Sequence, residues 1–220
     1  MRKLIRKDDE RYQHGTYLLS SAIGIDSTTL NEWCECVGAL HDVGKLTREY
    51  VDILHRWQKE VCNDVPTSYL AHSDFNPNNP IHKKLEREYR RPSHAPAGAI
   101  ISIPLLEDLL RKKVKNDDLF DQLFQSMVFS MMRHHGAYVQ NVQSFKLVDD
   151  AEEVVEESLE GLGIDEVVLE NEIDQADAND FSRDEKLDVS NDIELIFYWY
   201  FSRRLRLADQ RSQEQKANSR

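Results

Sequence analysis

Cysteine is scarce in this chain of 220 residues: Cys34, Cys36 and Cys62 are odd in number and show no CxxC spacing. That excludes a disulfide framework and a zinc knuckle and fits a reducing, cytoplasmic setting. No apolar run approaches the roughly 18 residues of a membrane span. The charged N-terminus, Met1 to Glu10, lacks the apolar stretch of a signal peptide. No alternating strand pattern persists and no internal repeat is visible. A phosphate-binding loop is missing too. Gly44-Lys45 imitates its end, but Ala39 stands where its first glycine belongs and Leu46 where Ser or Thr belongs. An ATPase motif is therefore absent, and the cysteines offer no evident nucleophile.

What is present is helical. With 40% hydrophobic and 31% charged residues, the composition is that of an ordinary globular protein, long enough for one domain with a large core. Thr29 and Glu32 have capping-box spacing, and Leu30, Trp33, Cys34, Val37, Leu40 and His41 follow on one helical face. A second helix is predicted from near Thr47, with Tyr50, Ile53, Leu54, Trp57 and Val61 as its stripe. Prolines 66, 77, 80 and 92 mark an irregular connection of about 30 residues. Helix resumes from His94 to about Lys113, with a kink at Pro104. Asn116 or Asp117 caps the next helix, whose buried side is Phe120, Leu123, Phe124, Met127, Val128 and Met131. Asn191 opens a final helix carrying Ile193, Ile196, Phe197, Tyr200, Phe201 and Leu205 towards Asp209. The fold class is all-α.

The total charge of −12 argues against a nucleic-acid partner only until its distribution is considered. Residues 149–188 hold 17 Asp and Glu against Arg183 and Lys186, a local balance of −15 that leaves +3 for the remainder. The acidic stretch reads as a solvated, partly mobile insertion at about 149–190, although Val154, Val155, Leu159, Leu162 and Val167 to Leu169 allow short docked helices. Lys83, Lys84, Arg87, Arg90 and Arg91 precede His94, and Arg111, Lys112, Lys113 and Lys115 follow it. Such residues either track a strand backbone or form a solvated face. Tyr69, Phe75 and Tyr89 in the same loop are candidates for base stacking.

The chemistry concentrates in His41-Asp42-Val43-Gly44-Lys45. Imidazole binds a metal as a neutral nitrogen donor, and the adjacent carboxylate can bridge two cations. Lys45 follows at helical spacing, and Gly44 suits a close approach or a helix stop. His94 begins a run of small residues, Ala95-Pro96-Ala97-Gly98-Ala99, which lets helices come together around a buried pocket. His134-His135 is a strong pair, because adjacent imidazoles at a helix end cannot both be core packing without leaving polar rings unsatisfied. Asp209 lies in an apolar helix, where a buried carboxylate needs a cation. His55, His72 and His82 read as surface residues. His14, alone, is uninformative.

The strings HDVGKLT, SHAPAGA, MMRHHG and LADQ, in this order, resemble the HD superfamily of metal-dependent phosphohydrolases. More narrowly they resemble the HD nuclease of CRISPR type I interference, a module found fused to the CRISPR-associated helicase or as a separate subunit. The resemblance covers about residues 10–147 and 191–211. It implies a helical bundle occupying residues 1–220 as a single domain, with the acidic insertion inside it. It also implies two metals sharing Asp42, one held by His14, His41, Asp42 and Asp209, the other by Asp42, His94, His134 and His135. Asp42 and Lys45 would be the catalytic residues, with Lys45 facing the scissile phosphate. Nitrogen-rich ligation favours Mn, Fe, Co or Ni, with Mg as the alternative. The implied partners are single-stranded DNA, a CRISPR helicase and the interference complex, with no membrane. One alternative is an HD phosphohydrolase acting on nucleotides or cyclic dinucleotides, although the Gly-Tyr-Pro extension of that branch is missing. A non-catalytic assembly subunit is the other, and it would be favoured by a non-ligand residue at a metal position.

Overall fold

Residues 1–64, 68–69, 76, 78–89, 91–135, 142–178 and 187–218 are described by a computed structural model. Helices α1 (Arg2–Lys7), α2 (Asp9–Ile23) and α3 (Ser27–Leu40) lead into a 3-10 turn (Val43–Leu46) and α4 (Arg48–Cys62). Next come α5 (Pro80–Glu88), α6 (His94–Ile101), α7 (Ile103–Arg111) and α8 (Asp117–Met132). After β1 (Phe145–Lys146), α9 (Ala151–Leu159) and β2 (Glu172–Ile173), α10 (Asp192–Asn218) follows. The all-α class holds. Strands β1 and β2 pair antiparallel, Phe145 opposite Ile173, and are too short to show any alternation in the sequence.

Helix α3 buries Leu30, Trp33, Cys34, Val37 and Leu40, as the spacing predicts. It starts three residues earlier than expected because Asp26, not Thr29, caps it. The Asp26 carboxylate accepts from the Thr29 backbone N–H at 2.9 Å and from its hydroxyl at 2.7 Å. Those bonds hold the Asp26 carboxyl below its ordinary range. Asp26→Ala removes an N-cap, so it is expected to cost about 1 kcal/mol and lower the melting temperature by about 3 °C. A melting curve that overlays the parent's would show the cap to be idle.

Several boundaries differ from expectation for local reasons. The segment around Pro104 is two helices rather than one kinked helix. They are divided at Ser102, with Pro104 in the first turn of α7, where its missing N–H costs nothing. Within the proline-marked connection, Pro80 opens a helix. On α10 the buried side is Phe197, Tyr200, Phe201, Arg204, Leu205 and Ala208, leaving Ile193 and Ile196 exposed. Arg204, 2% exposed, donates to Asn31 Oδ1 at 2.7 Å, to the Tyr200 hydroxyl at 2.9 Å and to Asp9. It ties α2 and α3 to α10.

The acidic segment is docked wherever it is described. Ala151, Val155, Leu159, Val167, Leu169 and Ala178 join the same hydrophobic cluster as Leu30 and Phe201, while the carboxylates face outward. Val148 N–H donates to Leu46 O at 3.0 Å and Glu170 N–H to Ile101 O at 2.9 Å. Arg2 donates to the carbonyls of Ser158 and Glu160 at 2.8 and 2.9 Å. Over residues 149–178 the expected solvated, partly mobile insertion is therefore corrected to an amphipathic segment packed on the core. Among the described residues no helix is long and apolar enough to cross a membrane.

Candidate metal centre

Three separated pieces of chain meet at the C-terminal end of α3. His41 caps that helix and Asp42 precedes the 3-10 turn. His94 is the first residue of α6, and His134 and His135 sit in the turn after α8. The approach of α6 depends on two glycines. A Cβ on Gly44 would lie 2.0 Å from the His94 carbonyl oxygen, and one on Gly98 would lie 3.1 Å from Gly44 N. Gly44 thus serves close approach, the first of its two predicted uses. Arg206 on α10 donates to Arg133 O at 2.7 Å and steadies the turn that carries the histidine pair.

One ligand atom from each of Asp42, His94, His134 and His135 lies within 4.8 Å of the other three. The two oxygens of Asp42 face different rings: Oδ1 is 3.2 Å from His94 Nε2 and Oδ2 is 3.3 Å from His41 Nε2. Lys45 Nζ donates to Oδ2 at 2.8 Å. Backbone carbonyls set two of the tautomers. Nδ1 of His134 is 2.6 Å from Met131 O, and Nδ1 of His41 is 2.9 Å from Gly38 O. A carbonyl only accepts, so each Nδ1 carries the proton and each neutral Nε2 carries the lone pair. His134 Nε2 is buried and has no hydrogen-bond partner among the described residues.

The electrostatics favour neutral rings around a charged carboxylate. Burial pushes His41, His94 and His135 down from their ordinary value, and takes His134 down to about 3, with His135 adding to the effect. Burial opposes ionisation of Asp42 as well. The hydrogen bond with His94 and the nearby His41 and Lys45 outweigh it, so the carboxyl lies well below its usual range. Neutral imidazole and ionised carboxylate are the metal-binding forms.

These residues fit a transition-metal ion. Donors at ~2.1 Å from an ion stand at most ~4.2 Å apart across it, so the observed spread needs only a small contraction. The orphaned, buried Nε2 of His134 is an acceptor waiting for a cation, and leaving it unsatisfied costs about 1–3 kcal/mol.

The remaining candidates divide. His41 adjoins the four through Asp42, and its ring stands edge-on to His134 at 5.2 Å. Asp209, half-buried on α10, acts electrostatically on both His41 and His135. His14 is not brought to this centre. It is exposed on α2 and lines a groove with Asp9, Ser27 and Asn31. Asn31 precedes His41 by ten residues, about 15 Å along the α3 axis. Packing of α2 against the first half of α3, through Ser20–Ser27 at 2.9 Å, accounts for this.

His55 and His82 are half-buried on α4 and α5, apart from the centre, rather than free surface residues. His72, Phe75 and Arg90 lie outside the described residues, as does the side chain of Arg87. The basic group after His94 is engaged locally: Arg111 pairs with Asp117 at 2.6 Å and Lys112 with Asp108 at 2.9 Å. That supports a solvated face there. Two contributors escaped the sequence reading. Tyr50 stands edge-on to the His94 ring at 5.5 Å, a role that its place in an apolar stripe conceals. Arg206 carried no signal, because an arginine on a long helix is ordinary.

The family model described as Cas3, HD domain matches residues 5–195. No curated protein and no solved structure matches the chain.

Proposed function

The chain belongs to the Cas3 HD-domain family, a CRISPR-associated class of metal-dependent nuclease, and from that premise we propose that it hydrolyses phosphodiesters of single-stranded DNA. The observation that carries the reading is the divided carboxylate of Asp42, with Oδ1 towards His94 and Oδ2 towards His41. A carboxylate so placed suits two ions. His94, His134 and His135 would serve one, and His41 with Asp209 the other. His14 would complete the second only if α2 repacked. Divalent ions held by these residues would supply a hydrolytic water at neutral pH and offset charge on the phosphate.

The residues of the chain do the rest. Asp42 stays ionised. The carbonyls of Met131 and Gly38 hold the His134 and His41 rings with Nε2 inward. Lys45, 8% exposed, keeps its ammonium at Asp42, where it neutralises negative charge on an approaching phosphate. No protein nucleophile is required. The unwound strand would come from a helicase of the interference complex, fused or separate.

Asp209→Ala is expected to lower the bound metal per chain, measured by elemental analysis after dialysis. Unchanged content would remove Asp209 from the set. The function itself is tested by giving the manganese-loaded protein single-stranded DNA, single-stranded RNA, nucleotides and cyclic dinucleotides in parallel. DNA cleavage at least about tenfold faster than the others, lost on chelation, is the expected result. Faster turnover of nucleotides would place the chain with the small-molecule phosphohydrolases instead.

A further inference from the structure

The acidic segment contributes one wall of a cavity beside the metal centre. Val154 and Val155 of α9 face Val43 and Leu46 of the 3-10 turn, with Tyr69 at the edge, across a space of about 250 Å³. Asp42 and Lys45 line the same space. That is large enough for one planar base, whose bonded ring atoms pack more closely than separate waters at ~30 Å³ each. The Tyr69 hydroxyl is hydrogen-bonded to Asp150, which holds the ring at the N-terminal end of α9.

A second cavity, about 490 Å³, lies next to the first and shares Ala39 and Ser158 with it. Its character is different: Arg2, Lys3 and Arg6 line it, and His41 lies in its wall. Glu35 and Glu160 line it as well and leave a balance of +1: Glu35 pairs with Arg6 at 2.7 Å and Arg2 at 3.6 Å, while Lys3 stands exposed. Between them the two spaces reach both members of the His41-Asp42 pair, basic on one side and apolar on the other. That polarity suits a single strand, whose phosphates seek cations and whose unpaired bases seek apolar or aromatic surface.

We infer that the cavity between the 3-10 turn and α9 receives one unstacked base of the strand, beside the phosphodiester held at Asp42 and Lys45, while the groove at Arg2, Lys3 and Arg6 takes backbone phosphates. This rests on the single-stranded DNA reading above. It gives the acidic segment a positive role, since its apolar side builds the base site and its carboxylates point away. Sequence preference at this base is weak, because the walls offer contact rather than a set of donors and acceptors.

The test compares the parent, Val154→Trp, which fills the cavity, and Tyr69→Ala, which opens its edge. Affinity for labelled oligothymidylate and for an abasic oligomer of equal length is read by anisotropy in chelator, and cleavage is read separately in manganese. The parent is expected to bind the base-bearing oligomer at least about tenfold more tightly. In Val154→Trp that ratio falls by about tenfold. Tyr69→Ala, a milder change at the surface, moves it the same way and serves if the tryptophan variant does not fold. In cleavage, a single abasic residue next to the cut slows the parent about tenfold and slows Val154→Trp no further. An unchanged ratio in a folded variant overturns the base site. A ratio that falls as expected, with no DNA hydrolysis by the parent, overturns the nuclease reading and leaves the base site standing. No binding of either oligomer overturns the base site, and the nuclease reading then stands or falls on cleavage by the parent in manganese.

Discussion

Asp42→Ala is expected to cut hydrolysis of single-stranded DNA in manganese by more than about 100-fold while the protein stays folded. Loss of a group that only supports a metal ligand already costs about 10–100-fold in affinity or activity. Asp42 is placed more centrally, with each oxygen near a different imidazole and one also bound to Lys45. Its side chain belongs to no part of the apolar cluster, so the helices around it keep their packing. The structural cost comes from Lys45, whose buried ammonium loses its carboxylate, at about 1–3 kcal/mol. That lowers the melting temperature by several degrees without unfolding the chain. Asp42→Asn, which keeps the shape and one good oxygen, should also lose hydrolysis, since a neutral amide does not hold two cations. Activity within tenfold of the parent in the alanine variant would sink the dinuclear reading.

Gly44→Ala is expected to have the largest effect on stability of any single methyl group added to the centre. The new Cβ would stand 2.0 Å from His94 O, 2.9 Å from His94 C and 2.7 Å from Gly98 N, all backbone atoms that no rotamer change can move aside. Overpacking of this kind costs about 3 kcal/mol or more, a fall of about 6–12 °C in melting temperature. The strain falls on the residue that supplies a metal donor, so metal content should drop with stability. Gly15→Ala is the control. It lies in α2 with nothing within 4 Å of the added carbon, and is expected to be neutral or slightly stabilising. Equal melting temperatures for the two variants would show that the close approach of α6 to the 3-10 turn does not hold in solution.

The helices were legible because their determinants are local. Apolar residues three and four apart gave the buried side of α3, Tyr50, Leu54 and Trp57 of α4, and all of the expected α8 side but Phe124, while α4 buries Val51 and Gln58 in place of Ile53 and Val61. Asn116 and Asn191 cap α8 and α10 as expected, accepting from Leu119 N–H and Glu194 N–H. Where local signals competed, the reading slipped. Two residues able to cap α3 lie three apart, and Asp26 wins because it accepts two hydrogen bonds at once from Thr29. The acidic segment misled for a related reason: net charge dominates its composition, yet its few apolar residues are spaced to reach the core.

Chain order alone sets which donor types exist and how each is presented locally: His41 beside Asp42, Lys45 three residues on, and His134 beside His135. It also supplied the small residues around Gly98 and the motif order that marks the family. Helix packing brings His94 to His135, with Nε2 atoms 2.9 Å apart across 41 residues, and sets α9 as a wall of the space beside Asp42. It also left His14 on another face. The physical reason is range. Caps, turns and helical faces are set by groups within about four residues of one another, whereas convergence, burial and the resulting neutral rings depend on how whole helices pack.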